Sequence, residues 1–168
     1  MNNRCMLDSQ RIQEAYAYVQ QRTKQTPRVA LILGTGLGQF ADRIETPVAI
    51  SYTDIPHFPH SSAPDHKGQL VSGSIKGVPL IAMQGRFHLY EGHPINAAVL
   101  PLHVMHKLGA DILIVSNASG GVNTNLSGGD ILVMNNHINL TFRVNPQLAA
   151  FTQNHNHIKS PIYDPQLI

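Results

Sequence analysis

Short, densely apolar runs recur along the chain, and each ends abruptly in glycines or polar side chains. RVALILG from Arg28, VAISYT at 48–53, QLVSGSI and VPLIAM on either side of Lys76-Gly77, and DILIVS from Asp111 are rich in branched residues. Runs of that length and make-up predict buried strands. Lys76-Gly77 predicts a tight hairpin turn, and LSGGDILVMNNHINL predicts one more strand with an amide-rich exit. Elsewhere the spacing becomes helical. Ile12, Ala15, Tyr16 and Val19 share one face, with Asp8 or Ser9 as the candidate cap and Pro27 beyond the end. PINAAVLPLHVMHKLG predicts a second helix, with Pro94 near its first turn, Pro101 inside it and Gly109 at its C-terminal cap. A short helix is expected around Gln39 to Ile44.

Strands separated by helices and loops predict an α/β domain with a mixed central sheet flanked by helices. The strands near residues 28, 78 and 111 all run into polar or glycine-rich loops. If they lie side by side, those loops converge at one edge, where folds of this class bind ligands. The stretch DIPHFPHSSAPDHKG is long for a connection inside a compact domain, and loops of that length are more often functional than idle. Beyond Thr141 the pattern decays, so residues 143–168 form a divergent tail within what reads as a single domain over 1–168.

Composition narrows the class without naming it. The chain has 168 residues, 42% hydrophobic and 13% charged, which suits an ordinary folded domain with a core. A net charge of +2 from twelve scattered Lys and Arg argues for neither nucleic acid nor a membrane surface. No apolar run approaches a membrane span, and the single cysteine, Cys5, excludes an internal disulfide framework and fits a reducing cytoplasm. The ten histidines raise the question of a metal. His57, His60, His66, His88 and His93 show no metal-ligand spacing, and His103 and His106 are accounted for as helix positions, so no metal is expected.

Chemistry concentrates where the apolar runs stop. Gly34-Thr35-Gly36-Leu37-Gly38 can turn backbone N–H groups toward an oxyanion, with the Thr35 hydroxyl as a further donor; a tight turn alone would explain the glycines equally well. The dinucleotide fingerprint fails because Gln39 stands where its third glycine belongs, and no P-loop lysine follows. In QGRFHLYEGH, residues 84–93, Arg86 and His88 alternate so as to share one side of an extended segment. A guanidinium and an imidazole so placed can clamp a phosphate, Tyr90 can offer its hydroxyl to a sugar, and Glu91 can orient a histidine or water. The plainer alternative is a solvated loop. Asn117-Ala118-Ser119-Gly120-Gly121 ends a strand in small residues that let a ligand approach the main chain, or make a close turn.

LILGTGLGQFADRIE, DIPHFP, QGRFHLYEGH, VSNASGGVN and GDILVMNNHINLT, in this order and spacing, closely resemble the trimeric purine nucleoside phosphorylases over about residues 29–142. The resemblance implies a nucleoside phosphorylase-like fold and reversible phosphorolysis of purine ribo- or deoxyribonucleosides to free base and (deoxy)ribose 1-phosphate. It implies no cofactor, inorganic phosphate being a co-substrate, and a cytoplasmic homotrimer as the family's assembly. By position it makes Thr35, His66, Arg86, His88 and the N–H of Ala118 phosphate ligands, Tyr90 a ribose contact and Asn117 a neighbour of the nucleoside. His88 and Glu91 are its catalytic pair, with Glu91 steadying His88 and ordered water.

The chemistry agrees with those roles. Breaking a glycosidic bond builds oxocarbenium character on the sugar, so a phosphate fixed against the anomeric carbon is both counter-charge and nucleophile. Thr35 stands where the family commonly has serine, and Pro64-Asp65 replaces a more usual Glu-Gly before His66. The family's purine-recognising glutamate, base-contacting asparagine and further ribose-binding histidine lie in a C-terminal segment that this sequence does not reach. The expectation is therefore a C-terminally incomplete phosphorylase fold. The alternative function is an inactive fragment that retains only the phosphate-binding half of the site.

Overall fold

The computed structural model describes residues 3–59, 67–87, 91–137, 163–164 and 166–167. The chain divides into two compact units, Met1–Ala118 and Ser119–Ile168. The first holds helices α1 (Asn3–Gln20) and α2 (Ile95–Lys107), strands β1 (Val29–Leu33), β2 (Glu45–Ser51), β3 (Gln69–Ile75), β4 (Val78–Gln84) and β5 (Ile112–Val115), and 3-10 helices at Gly38–Arg43 and Tyr52–Asp54. The strands form one sheet in the order β2-β3-β4-β1-β5. β2, β3 and β4 run antiparallel, whereas β4, β1 and β5 are parallel, so the sheet is mixed as the apolar pattern predicts.

Alternation along the inner strands explains why they read as continuous apolar runs. Ala30, Leu70, Ile81 and Met83 join Ala15, Val19, Leu100, Val104 and Met105 of the helices in one core cluster. Their neighbours Leu31, Leu33, Val71, Leu80 and Ala82 join Ala41 of the first 3-10 segment, and Ile44 just after it, in a second. Both faces are thus covered, which removes the polar half of a strand's usual alternation. On β5, in contrast, Leu113, Ile114 and Val115 are about half exposed.

Local chemistry sets the turns. Ile75 pairs with Val78 across a two-residue turn in which Lys76 and Gly77 have φ of 50° and 77°. Two left-handed residues are what a type I′ hairpin needs, and glycine takes the second at little cost. α2 begins after Pro94, and Gly109 follows it with φ 120° and its N–H donating to the His106 carbonyl at 2.9 Å. At the end of α1 the Arg22 guanidinium donates to the Tyr18 carbonyl at 2.9 Å and lies over the Tyr18 ring.

Two expected element boundaries need correction. Asp8 and Ser9 do not cap α1, because the helix already runs through them from Asn3; helix spacing marks a face well but an end poorly when the preceding residues also tolerate helix. VAISYT is strand only to Ser51, β2 starting earlier, at Glu45, and Tyr52 opening a 3-10 turn.

The loop after that turn is tied to α1. His57 has a positive φ of 66°, unusual for a residue with a side chain, and its Nε2 donates to the Glu14 carboxylate at 2.6 Å. That bond, with a second from Gln10, holds the half-exposed Glu14 carboxyl below the usual carboxylate range. A depressed carboxyl pKa stabilises the fold above the unfolded value and is lost as pH falls through the folded one. Glu14→Gln is therefore expected to lower the melting temperature slightly at neutral pH, with the difference from wild type closing below about pH 4. A difference that persisted unchanged in acid would refute this.

In the second unit no helix or strand occurs among the described residues. Turns at Asn123–Leu126 and Ser127–Asp130 are closed by main-chain bonds of 3.1 and 3.2 Å, and His137 Nδ1 lies 2.8 Å from the Tyr163 hydroxyl. The strand expected in LSGGDILVMNNHINL is not formed over the described part, 126–137; Ile131, Leu132, Val133 and Met134 are exposed there. A strand exists only where a neighbour accepts its main-chain bonds, and composition cannot supply that neighbour. The remainder of that motif and nearly all of the divergent tail lie outside the described residues. No described helix is long and apolar enough to cross a membrane.

Candidate functional site

β1, the centre of the parallel trio, pairs Leu33 with Gln84 of β4 and Ile32 with Val115 of β5. The strands therefore end level with one another. Gly34–Gly38, Gly85–Phe87 and Ser116–Ala118 leave the same edge of the sheet, and the convergence that adjacency would require is present.

The first loop turns tightly. Leu37 N–H donates to the Gly34 carbonyl at 3.1 Å, and Gly36 occupies the third position with φ 81°. That geometry is a type II turn and demands a positive φ there. Thr35, the second residue, is exposed on the turn. Side chains of the flanking strands hold both ends. Ser116 Oγ accepts from Gly34 N–H at 3.1 Å and donates to the Ile32 carbonyl at 3.0 Å. Gln84 Nε2 donates to the Gly38 carbonyl at 2.8 Å.

Gly34 is needed for another reason. A Cβ there would lie 2.4 Å from the Ser116 carbonyl oxygen and 3.0 Å from Asn117 Cα. The first and third loops touch main chain to main chain, which brings the turn carrying Thr35 against the segment carrying Asn117 and Ala118, both exposed.

Arg86 follows Gly85, whose carbonyl accepts from the Tyr52 hydroxyl at 2.7 Å. Tyr52 is buried, and burial pushes its phenol far above the ordinary range, so it remains a donor. On the other side Phe87 packs against Tyr52 at 5.1 Å between ring centroids and meets His93 edge-on at 6.0 Å. Arg86 is thereby held between two anchored neighbours. It is half-buried, and its Nε is enclosed with no hydrogen-bond partner among the described residues. An enclosed N–H on a cation without an acceptor costs about 1–3 kcal/mol. An anion at this position would supply that acceptor.

Glu91 lies beyond the same loop. Its carboxylate is almost fully enclosed and stands 3.8 Å from His93 Nε2. Tyr52, Phe87, His93 and Glu91 thus form one connected series. His66, His88 and Tyr90 lie outside the described residues, and the described structure says nothing of their placement. Among the described residues no group of three His, Cys, Asp or Glu could hold a metal ion.

Replacing Tyr52 by phenylalanine isolates one of these anchors. It leaves the Gly85 carbonyl unpaired, an expected cost of about 1–2 kcal/mol seen as a lower denaturant midpoint. Because burial raises the phenol pKa, the wild type gains from Tyr52 below the ordinary phenol value of 10.0 and loses that gain as pH climbs above it. Tyr52→Phe should lack this alkaline loss; equal alkaline sensitivity in both proteins would contradict it.

Gln84, Ser116 and Tyr52 were not among the residues singled out from sequence. The available signal was a polar side chain at the last position of an otherwise apolar strand, Gln84 after VPLIAM and Ser116 after DILIV. Tyr52 gave no such signal.

The edge defines an α/β protein that gathers its polar loops at the carboxyl ends of parallel strands. A family model described as the phosphorylase superfamily matches residues 28–168. Purine nucleoside phosphorylase 1 of Bacillus subtilis is 50% identical over 129 residues, 77% of this chain and 48% of that protein. The rat purine nucleoside phosphorylase is 43% identical over 128 residues, 76% of this chain and 44% of that one. Isoform 2 of the Schistosoma mansoni purine nucleoside phosphorylase, solved with cytosine and ribose-1-phosphate, superimposes with a TM-score of 0.73 at 35% identity. That match covers 91% of this chain and 50% of the solved one. The chain spans about half the length of the curated relatives it matches. It belongs to the phosphorylase superfamily.

Proposed function

We propose that the protein catalyses reversible phosphorolysis of purine ribo- and deoxyribonucleosides, giving the free base and (deoxy)ribose 1-phosphate. The observation that carries this reading is Arg86, a cation whose enclosed Nε has no partner among the described residues, on the edge shared by the glycine turn and the Asn117-Ala118 main chain. Relatives named purine nucleoside phosphorylase support it.

In this reading Thr35, His66, Arg86, His88 and the Ala118 N–H hold phosphate, Tyr90 meets the ribose, Asn117 lies beside the nucleoside, and Glu91 steadies His88. Phosphate held by fixed donors approaches the anomeric carbon from the side opposite the purine. As the glycosidic bond lengthens, the anion stabilises the developing positive charge and then forms the new C–O bond. The bonding pair of the broken bond leaves with the purine, which takes up a proton. No cofactor is required, phosphate being a co-substrate, and the working form is a cytoplasmic homotrimer.

The test is a cleavage assay on inosine and guanosine with and without inorganic phosphate, together with calorimetry of phosphate binding. Free base and ribose 1-phosphate should form only when phosphate is present. Cleavage independent of phosphate would overturn the proposal. Phosphate binding with no turnover would reduce the protein to an anion-binding remnant.

A further inference from the structure

We infer that Gln84 is a positioning residue for the phosphate site, its buried amide locking the glycine turn to the strand that delivers Arg86. This rests on the phosphate role proposed above for that edge.

Gln84 is 3% exposed and closes a strand of otherwise apolar residues. An enclosed amide is tolerated only when its donors and acceptor are satisfied. The Gly38 carbonyl can only accept, so the Gln84 nitrogen must face it, at 2.8 Å. Oε1 then faces Gln69, whose Nε2 donates to it at 2.7 Å. The network admits one orientation of both amides.

The placement gives this amide a particular reach. Its main chain lies opposite Leu33, the residue before the turn, and its carbonyl accepts from Gly68 N–H at 3.0 Å. Its side chain crosses to Gly38, the residue after the turn. Ser116 holds the near end at Gly34. The turn that carries Thr35 is therefore fastened at both ends, one tether coming from the residue two positions before Arg86. Donors aimed at an anion act strongly only when they need not reorganise on binding. Gln84 thus sets the spacing between the two halves of the phosphate clamp without touching phosphate.

Gln84→Met keeps the length and fills the space but cannot donate. Phosphate affinity measured by calorimetry should fall about tenfold. Amide hydrogen exchange should accelerate at residues 34–38 while the core amides of β3 and β4 stay protected. Gln84→Glu adds a test that packing alone cannot mimic and serves if the methionine variant does not fold. An ionised carboxylate opposes the Gly38 carbonyl, whereas the protonated form restores a donor, and burial favours the protonated form. Its phosphate affinity relative to wild type should therefore rise as pH falls.

Unchanged exchange at 34–38, or a pH-independent ratio for the glutamate variant, would overturn the tether. If the unsubstituted chain bound no phosphate, the functional reading would fall instead. Exchange would still decide whether Gln84 fixes the turn.

Discussion

Arg86→Ala is expected to lower phosphate-dependent cleavage of inosine by about 100- to 1,000-fold, the usual consequence of removing one preorganised donor to a developing charge. Stability should move the other way or not at all. The Arg86 Nε is enclosed without an acceptor among the described residues, so its removal relieves a cost of about 1–3 kcal/mol. A cation kept enclosed for binding trades stability for function. Binding supplies a second readout. A ligand held only by the folded state raises the melting temperature, by about 2.7 kcal/mol of stabilisation at a hundred times its dissociation constant. Phosphate should produce that rise in wild type and little of it in the alanine variant. Arg86→Lys should not rescue, since an ammonium cannot reproduce the directional Nε–H of a guanidinium. A folded alanine variant with wild-type phosphate response would show that Arg86 faces something else.

Much of this edge was legible in the sequence because its signals are local. Runs such as VALIL and VPLIAM are apolar throughout because both faces of β1 and β4 are covered, and Lys76-Gly77 announces its own turn chemistry. The order of strands was not legible. β4 follows β3 in a hairpin yet also lies parallel to β1, and β1 takes β5 on its other side. Pairing of that kind depends on residues far apart in the chain, and only the coincidence of three polar strand exits hinted at it. The tethers were hidden for a related reason. Gln84 reads as the first polar residue of a loop, but its amide is spent on Gly38 and Gln69, partners 46 and 15 residues away. ILVM at 131–134 shows the opposite failure. Its composition is that of a strand, and the described residues give it no partner.

Gly34→Ala is expected to damage both the fold and the site, through main chain rather than side chain. The added Cβ would fall 2.4 Å from the Ser116 carbonyl oxygen and 3.0 Å from Asn117 Cα. Neither atom can rotate away, so one loop must shift. Overpacking of this kind costs about 1–3 kcal/mol, which in a chain of this size lowers the melting temperature by about 3–9 °C. The shift would also move Gly34 N–H from the Ser116 hydroxyl and displace Asn117 and Ala118 relative to the Thr35 turn. Phosphate affinity should fall with stability, and amide exchange at 116–118 should rise. Gly36→Ala provides the contrast. At φ 81° it is strained, yet a Cβ there meets nothing within 4 Å. Its cost of about 1 kcal/mol should remain in the turn and leave exchange at 116–118 as in wild type. If the two variants disturbed residues 116–118 equally, contact between the loops would not be the reason Gly34 is glycine.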